Sequence, residues 1–199
     1  MALELLFWRP AHSRAPFPGV PPLMNAVDDL DNAAVRDLLL RNWMTHDAMW
    51  FREAVSRHGI AAANAMNRAA VRNMAAIEAK RIMRLIGMDA VRTNDDVRAF
   101  FDAAIAIAIP DFITSEITWA DDNSAITLAV TRCFAHDGVA AAGVIAQYEC
   151  GIFERLYGWL DALGAEYSVE PDTLECLMHT RGACARTMRI LLKEPATAS

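Results

Sequence analysis

The chain has 199 residues, 54% of them hydrophobic and 22% charged, so one globular domain with its own core is the expectation. Nineteen basic residues against twenty-five acidic ones leave a net charge of −6, which argues against non-specific nucleic-acid binding. No apolar run approaches the length that spans a bilayer.

In chain order, Met1–Trp8 is apolar but short, with Glu4 inside it and no basic stretch before it, so it does not read as a signal peptide. Prolines follow at 10, 16, 18, 21 and 22, which makes 1–25 a proline-rich arm able to pack on its own body or on a second subunit. With no signal or anchor, a cytoplasmic protein with reduced thiols is the expectation. Residues 26–194 then form a single domain, and 195–199 a disordered tail.

Asp31 or Asn32 caps a helix with Val35, Leu38, Leu39, Trp43, Met49 and Trp50 at roughly helical spacing, interrupted at His58-Gly59. A second helix, Ile60–Ile86, ends at Gly87, and its arginines at 68, 72, 81 and 84 read as a solvated face. Its methionines at 66 and 74, with 83 and 88, read as core filler. Thr93–Asp96 opens a helix that Pro110 stops. The period then changes to two. Phe112–Trp119 and Ala125–Arg132 alternate around the turn Asp121–Ser124, which predicts a hairpin. Phe134–Leu163 reads as helix in two pieces, breaking near Cys150-Gly151. Three strands are predicted after Gly164: Ala165–Val169, Thr173–His179 and Cys184–Leu192. The whole is α+β, one antiparallel sheet with helices packed on it.

Three groups of residues carry chemistry. Cys133 falls where a strand gives way to a helix, a place that favours a thiolate, with His136 and Asp137 one turn on. It reads as a nucleophile with His136 as base, as a metal ligand, or as a buried cysteine beside a solvated His-Asp pair. Cys176, His179 and Cys184 form C-x2-H-x4-C, and Cys133 or Cys150 completes four ligands, with zinc the best match. Strand alternation separates Cys176 from His179 unless the turn begins before His179. In the first helix, Trp43, His46, Asp47 and Trp50 combine aromatic rings with a polar pair, the composition of a pocket wall or of a satisfied core histidine. Glu78 either faces that pocket or pairs at the surface with Arg81 or Arg84. No phosphate loop, G-x-S-x-G elbow or H-E-x-x-H helix is present.

Asn42-Trp43, His46-Asp47, Trp50-Phe51 and Glu78-Ala79, followed by Arg132-Cys133, Cys150, Leu163-Gly164, Cys176 and Gly182-Ala183-Cys184, resemble a known pattern. Over roughly residues 35–192 the chain resembles an uncharacterised bacterial cytosolic family related to the 2-aminothiazoline-4-carboxylate hydrolase-like proteins. Its ending is similar to vinyl-reductase-type sensor domains, whose last strands hold cysteines and sometimes zinc. Relatives would carry a second cysteine where this chain has His179, which keeps a metal in play and disfavours an iron–sulfur cluster. Two functions are expected. The first is a hydrolase for a cyclic C–N or C–S small molecule, using a cysteine thiolate or Cys/His-bound zinc, with His46, Asp47 and His136 moving protons. The second is a small-molecule-binding or sensor module with a structural metal, Trp43, Trp50 and Glu78 touching the ligand. A homodimer through the arm is compatible with either.

Overall fold

The computed structural model describes residues 31–110 and 113–192. The proline-rich arm, with any subunit contact made through it, and the tail at 195–199 lie outside the described residues. The chain divides into two units, Met1–Arg36 and Asp37–Ser199, and only the helical start at 31–36 is described in the first.

Helix α1 (Asn32–Leu85) begins where Asp31 Oδ1 accepts the amide of Ala34 at 2.7 Å. It is two helices joined at Gly59, whose φ of 79° is open to glycine and costly for a residue with a Cβ. Helix α2 (Asn94–Ala108) opens with a reciprocal cap. Thr93 accepts the amide of Asp96 at 3.1 Å, and the Asp96 carboxylate accepts the amides of Arg92 and Thr93 at 2.9 Å each. Those bonds hold the Asp96 pKa below its ordinary value.

The expected hairpin is present as β1 (Thr114–Trp119) and β2 (Ala125–Arg132), with Asn123 in the turn at φ 57°. The first predicted strand was expected to start at Phe112, which lies outside the described residues. After β2 come α3 (Phe134–Ala141), a 3-10 turn (Ile145–Gln147), α4 (Ile152–Ala162), β3 (Glu166–Glu170), α5 (Leu177–Arg181) and β4 (Cys184–Leu191). The described strands form one antiparallel sheet in the order β1-β2-β4-β3. The α+β class is therefore correct, with one element changed.

Thr173–His179 is not a strand. Glu175 makes one isolated bridge to Glu149, and at Cys176 the chain turns helical, the amides of His179 and Thr180 both bonding the Cys176 carbonyl at 3.0 Å. Gly182, at φ 69°, closes the turn. A five-residue helix is shorter than the window in which a 3.6-residue period separates from a 2-residue one.

One face of the sheet is buried. Ile126, Leu128 and Val130 on β2 stand opposite Met188, Arg186 and Cys184 on β4, alternating with outward residues. Onto that face α2 and α4 bring Phe100, Phe101 and Trp159, whose rings meet edge to face at 5.7–6.0 Å.

The second half of α1 lies against α4 at Gly158, where a Cβ would stand 2.7 Å from both the Arg72 carbonyl and the Ala75 methyl. Gly158→Ala should thus destabilise by about 1–3 kcal/mol through overpacking, despite the ~1 kcal/mol that alanine gains in helix propensity. Thermal unfolding reads it. An unchanged or higher Tm would show that the two backbones are free to separate.

Arg68 and Arg72 do not form a solvated face. Arg68 bonds Glu149 at 2.7 Å and Glu154 at 2.9 Å, and Arg72 bonds Glu154 at 2.9 Å, Asp161 at 2.8 Å and the Tyr167 hydroxyl at 2.6 Å. Only Arg81 and Arg84 of the four are exposed. Met66 is exposed as well, and Met74 lines a cleft, so neither is core filler.

Candidate functional site

A cleft of about 630 Å³ opens between the two halves of α1, strand β2 and the segment from α3 to α4. Trp43, Asp47, Phe51 and Val55 come from the first half of α1, where a four-residue spacing keeps them on one stripe. Asn67, Val71 and Met74 come from the second half, and Leu128, Val130 and Cys133 from β2 and its end. Most of the wall is apolar, with few polar groups.

The polar corner is organised by Arg155 on α4. Its guanidinium bonds the Glu78 carboxylate, Nε to Oε2 at 2.9 Å, while Trp159 Nε1 donates to the same oxygen at 2.9 Å. The Arg155 guanidinium also stacks over Trp43, 4.9 Å from the ring centroid. Glu78 thus faces neither His46 nor the surface arginines. It fixes the arginine that fixes Trp43.

The aromatic and polar cluster of α1 divides. Trp43 and Asp47 line the cleft, but His46 points outward with its side chain 76% exposed, and Trp50 is 42% exposed. The expectation that Trp43, His46 and Trp50 share an interior wall is corrected accordingly. Burial raises the Asp47 pKa, against the pull of His46 at 3.7 Å and the charge of Arg155.

Beside the cleft lies a second, smaller void of about 10 Å³, and all four cysteines of the chain line it. Cys133 is the residue before α3, Cys150 stands one residue before the Gly151 cap of α4, Cys176 precedes α5, and Cys184 opens β4 on the buried face. All four are free thiols. The amides of Ala135 and His136 donate to the Cys133 sulfur, and those of Ile152 and Phe153 to Cys150. Burial nevertheless dominates. It raises the Cys133 pKa and pushes Cys150 up to about 11 and Cys184 up to about 12, with neighbouring thiols raising them further.

His179 is exposed on α5 and does not line the void, because the helical turn at Cys176 swings it outward. His136 lines the void, while its ring Nδ1 pairs with Asp137 at 2.9 Å and its backbone amide serves Cys133. Among the described residues no group of three His, Cys, Asp or Glu side chains stands at ion-binding geometry. Cys133, Tyr148 and Ile152 belong to both walls, so the thiol void and the cleft share a partition.

Two arginines that the sequence reading did not single out anchor the region, Arg155 and Arg186. Arg186 is 4% exposed and lines the thiol void. The signal for it was present: on β4, position 186 falls in phase with the half-buried position 184 and the buried positions 188 and 190.

Residues 30–150 match the model of a family described only as a family of unknown function, DUF6125. The chain belongs to that family. No curated protein matches it. The DUF6125 match covers the α1 wall, Glu78, Cys133 and His136 and stops at Cys150. The segment that brings Arg155, Cys176, Cys184 and Arg186 lies beyond it.

The alkaline behaviour of this DUF6125 protein follows from the thiols. With no metal bound, Cys133, Cys150 and Cys184 are held neutral by burial, so in the folded state they keep their protons above the ordinary thiol pKa near 9. The associated stability is intact below about pH 9 and is lost as pH rises towards 11–12, since the unfolded chain then binds fewer protons. Urea unfolding of metal-free protein should show that decline, and Cys150→Ser should make it shallower. An unchanged slope would mean that Cys150 does not titrate in this range.

Proposed function

We propose that this protein binds a small, largely apolar molecule with one polar end, held in the cleft between α1, β2 and α4. The supporting observation is the cleft itself. Its volume of about 630 Å³ sits within the range that encloses drug-sized ligands, roughly 300–1,000 Å³. Trp43, held flat by Arg155, offers a rigid aromatic wall, and Asp47 and Asn67 offer polar contacts. A cytoplasmic setting, in which thiols stay reduced, suits four free cysteines.

A hydrolytic reading keeps one specific observation: Cys133 lies on the cleft wall with two amides on its sulfur. It would attack a cyclic C–N or C–S substrate, as the resemblance to 2-aminothiazoline-4-carboxylate hydrolase-like proteins suggests. The raised pKa counts against it, because the thiolate is the nucleophile. His46, facing outward, is not placed to act as its base. Zinc held by all four sulfurs would leave no position for a reacting water. Ligand binding is therefore the better supported reading.

The test is titration with an uncharged, environment-sensitive fluorophore such as Nile red. Val71→Trp, which adds an indole to the cleft wall, should weaken binding by at least about tenfold, about 1.4 kcal/mol, with circular dichroism unchanged. Equal binding by Val71→Trp would remove the cleft as the site. For the hydrolytic reading, iodoacetamide should modify Cys133 more slowly than free cysteine at neutral pH. Faster modification would restore it.

A further inference from the structure

We propose that Cys133, Cys150, Cys176 and Cys184 are a binding site for one thiophilic divalent metal ion, with Zn2+ the preferred occupant. This does not depend on what the cleft binds. The four thiols come from four separate junctions of the fold, yet they surround one void of about 10 Å³. That is about the space of one water, enough for a single ion and too little for an iron–sulfur cluster.

Arg186 is the independent observation. It is 4% exposed, its Nε has no hydrogen-bond partner, and among the described residues no carboxylate pairs with it. Its other contacts are the Tyr157 hydroxyl at 3.0 Å, the Glu175 carbonyl at 3.3 Å and the Phe153 ring at 4.7 Å. A buried cation without an anion is costly and needs an explanation. Four neutral thiols do not supply the charge, whereas a divalent ion held by four thiolates carries a net charge of −2.

The chemistry balances without an oxidant. One M2+ and four thiols give M(SR)4 with charge −2 and four released protons, so binding weakens as pH falls. Zinc with four cysteines sits in a closed tetrahedron with Zn–S near 2.3 Å. The sulfurs are not yet at that geometry, so binding an ion draws them inward. The amides already on Cys133 and Cys150 are the outer-shell donors that orient such ligands. With His179 facing outward, the donor set is four sulfurs and no imidazole. Cys133 also lines the cleft, so a bound molecule there would rest against a metal-bearing side chain.

The experiment uses the full chain, purified, reduced and stripped by chelation, titrated anaerobically with Co2+ alone. Saturation at one equivalent is expected, with thiolate-to-cobalt charge-transfer bands and tetrahedral d–d absorption that Zn2+ then bleaches. Thiols reactive towards a chromogenic disulfide reagent should fall from four to none on Zn2+ saturation. Cys184→Ser should abolish stoichiometric binding. Arg186→Gln should weaken it at least tenfold and move the pH of half-release upward, which a merely structural arginine would not do. If either variant fails to fold, the wild-type cobalt spectrum and thiol count decide. No charge-transfer band with unchanged thiol reactivity would overturn the proposal. So would as-purified protein carrying several equivalents of iron and sulfide.

Discussion

Replacing Trp159 with alanine should cost about 3–5 kcal/mol. The indole is fully buried, meets Phe100 and Phe101 edge to face, and donates from Nε1 to Glu78. Its removal leaves a cavity among rings that cannot collapse, since α2 and α4 are both anchored to the sheet. It also releases Glu78, and with it the arginine that holds Trp43. Trp159→Phe separates the two effects. It restores most of the volume but not the donor, so it should recover most of the stability and leave fluorophore binding weakened. Full recovery of binding in Trp159→Phe would show that the Nε1–Glu78 bond does not organise the cleft.

Glu154→Ala should cost nearly as much, about 3 kcal/mol. Glu154 is 6% exposed at its side chain and accepts from both Arg68 and Arg72 at 2.9 Å. Deleting it leaves two guanidiniums, one turn apart on α1, without the α4 carboxylate they shared. Each keeps one other carboxylate, Glu149 for Arg68 and Asp161 for Arg72, and both arginines are partly exposed, which sets the low end of the range. Arg68→Ala alone should cost less, because its charge is better solvated. A loss under 1 kcal/mol for Glu154→Ala in urea unfolding would mean that water replaces the carboxylate.

How much of this was legible depended on whether the signal was local. The Gly59 break, the Thr93–Asp96 cap and the hairpin around Asp121–Ser124 each rest on residues within a few positions of one another. The stretch from Thr173 to His179 misled because a run of seven residues fits a strand or a helical turn equally well, and tertiary contacts chose the turn. Spacing could place His46 and Asp47 beside each other, but not say which one faces inward, since that depends on where Arg155 and Trp43 meet. The arginines at 68 and 72 looked solvated for the same reason: their acidic partners on and beside α4 are more than eighty positions away. Arg186 was legible in the phase of β4, and its burial among thiols was not.

The order β1-β2-β4-β3 has a kinetic consequence. Strand β4 joins two halves of the sheet that otherwise share no ladder. The β1–β2 hairpin closes over a few residues and β3–β4 over a modest loop, whereas Thr127 and Thr187, which bond across the central seam, are 60 positions apart. Closing that long loop is entropically the dearest step in assembling the sheet. Cys133 follows the end of β2, on one side of the seam, and Cys184 begins β4 on the other. Their sulfurs come together only once the seam zips, so the rate at which the two thiols become shielded from a fast alkylating reagent is a clock for sheet closure.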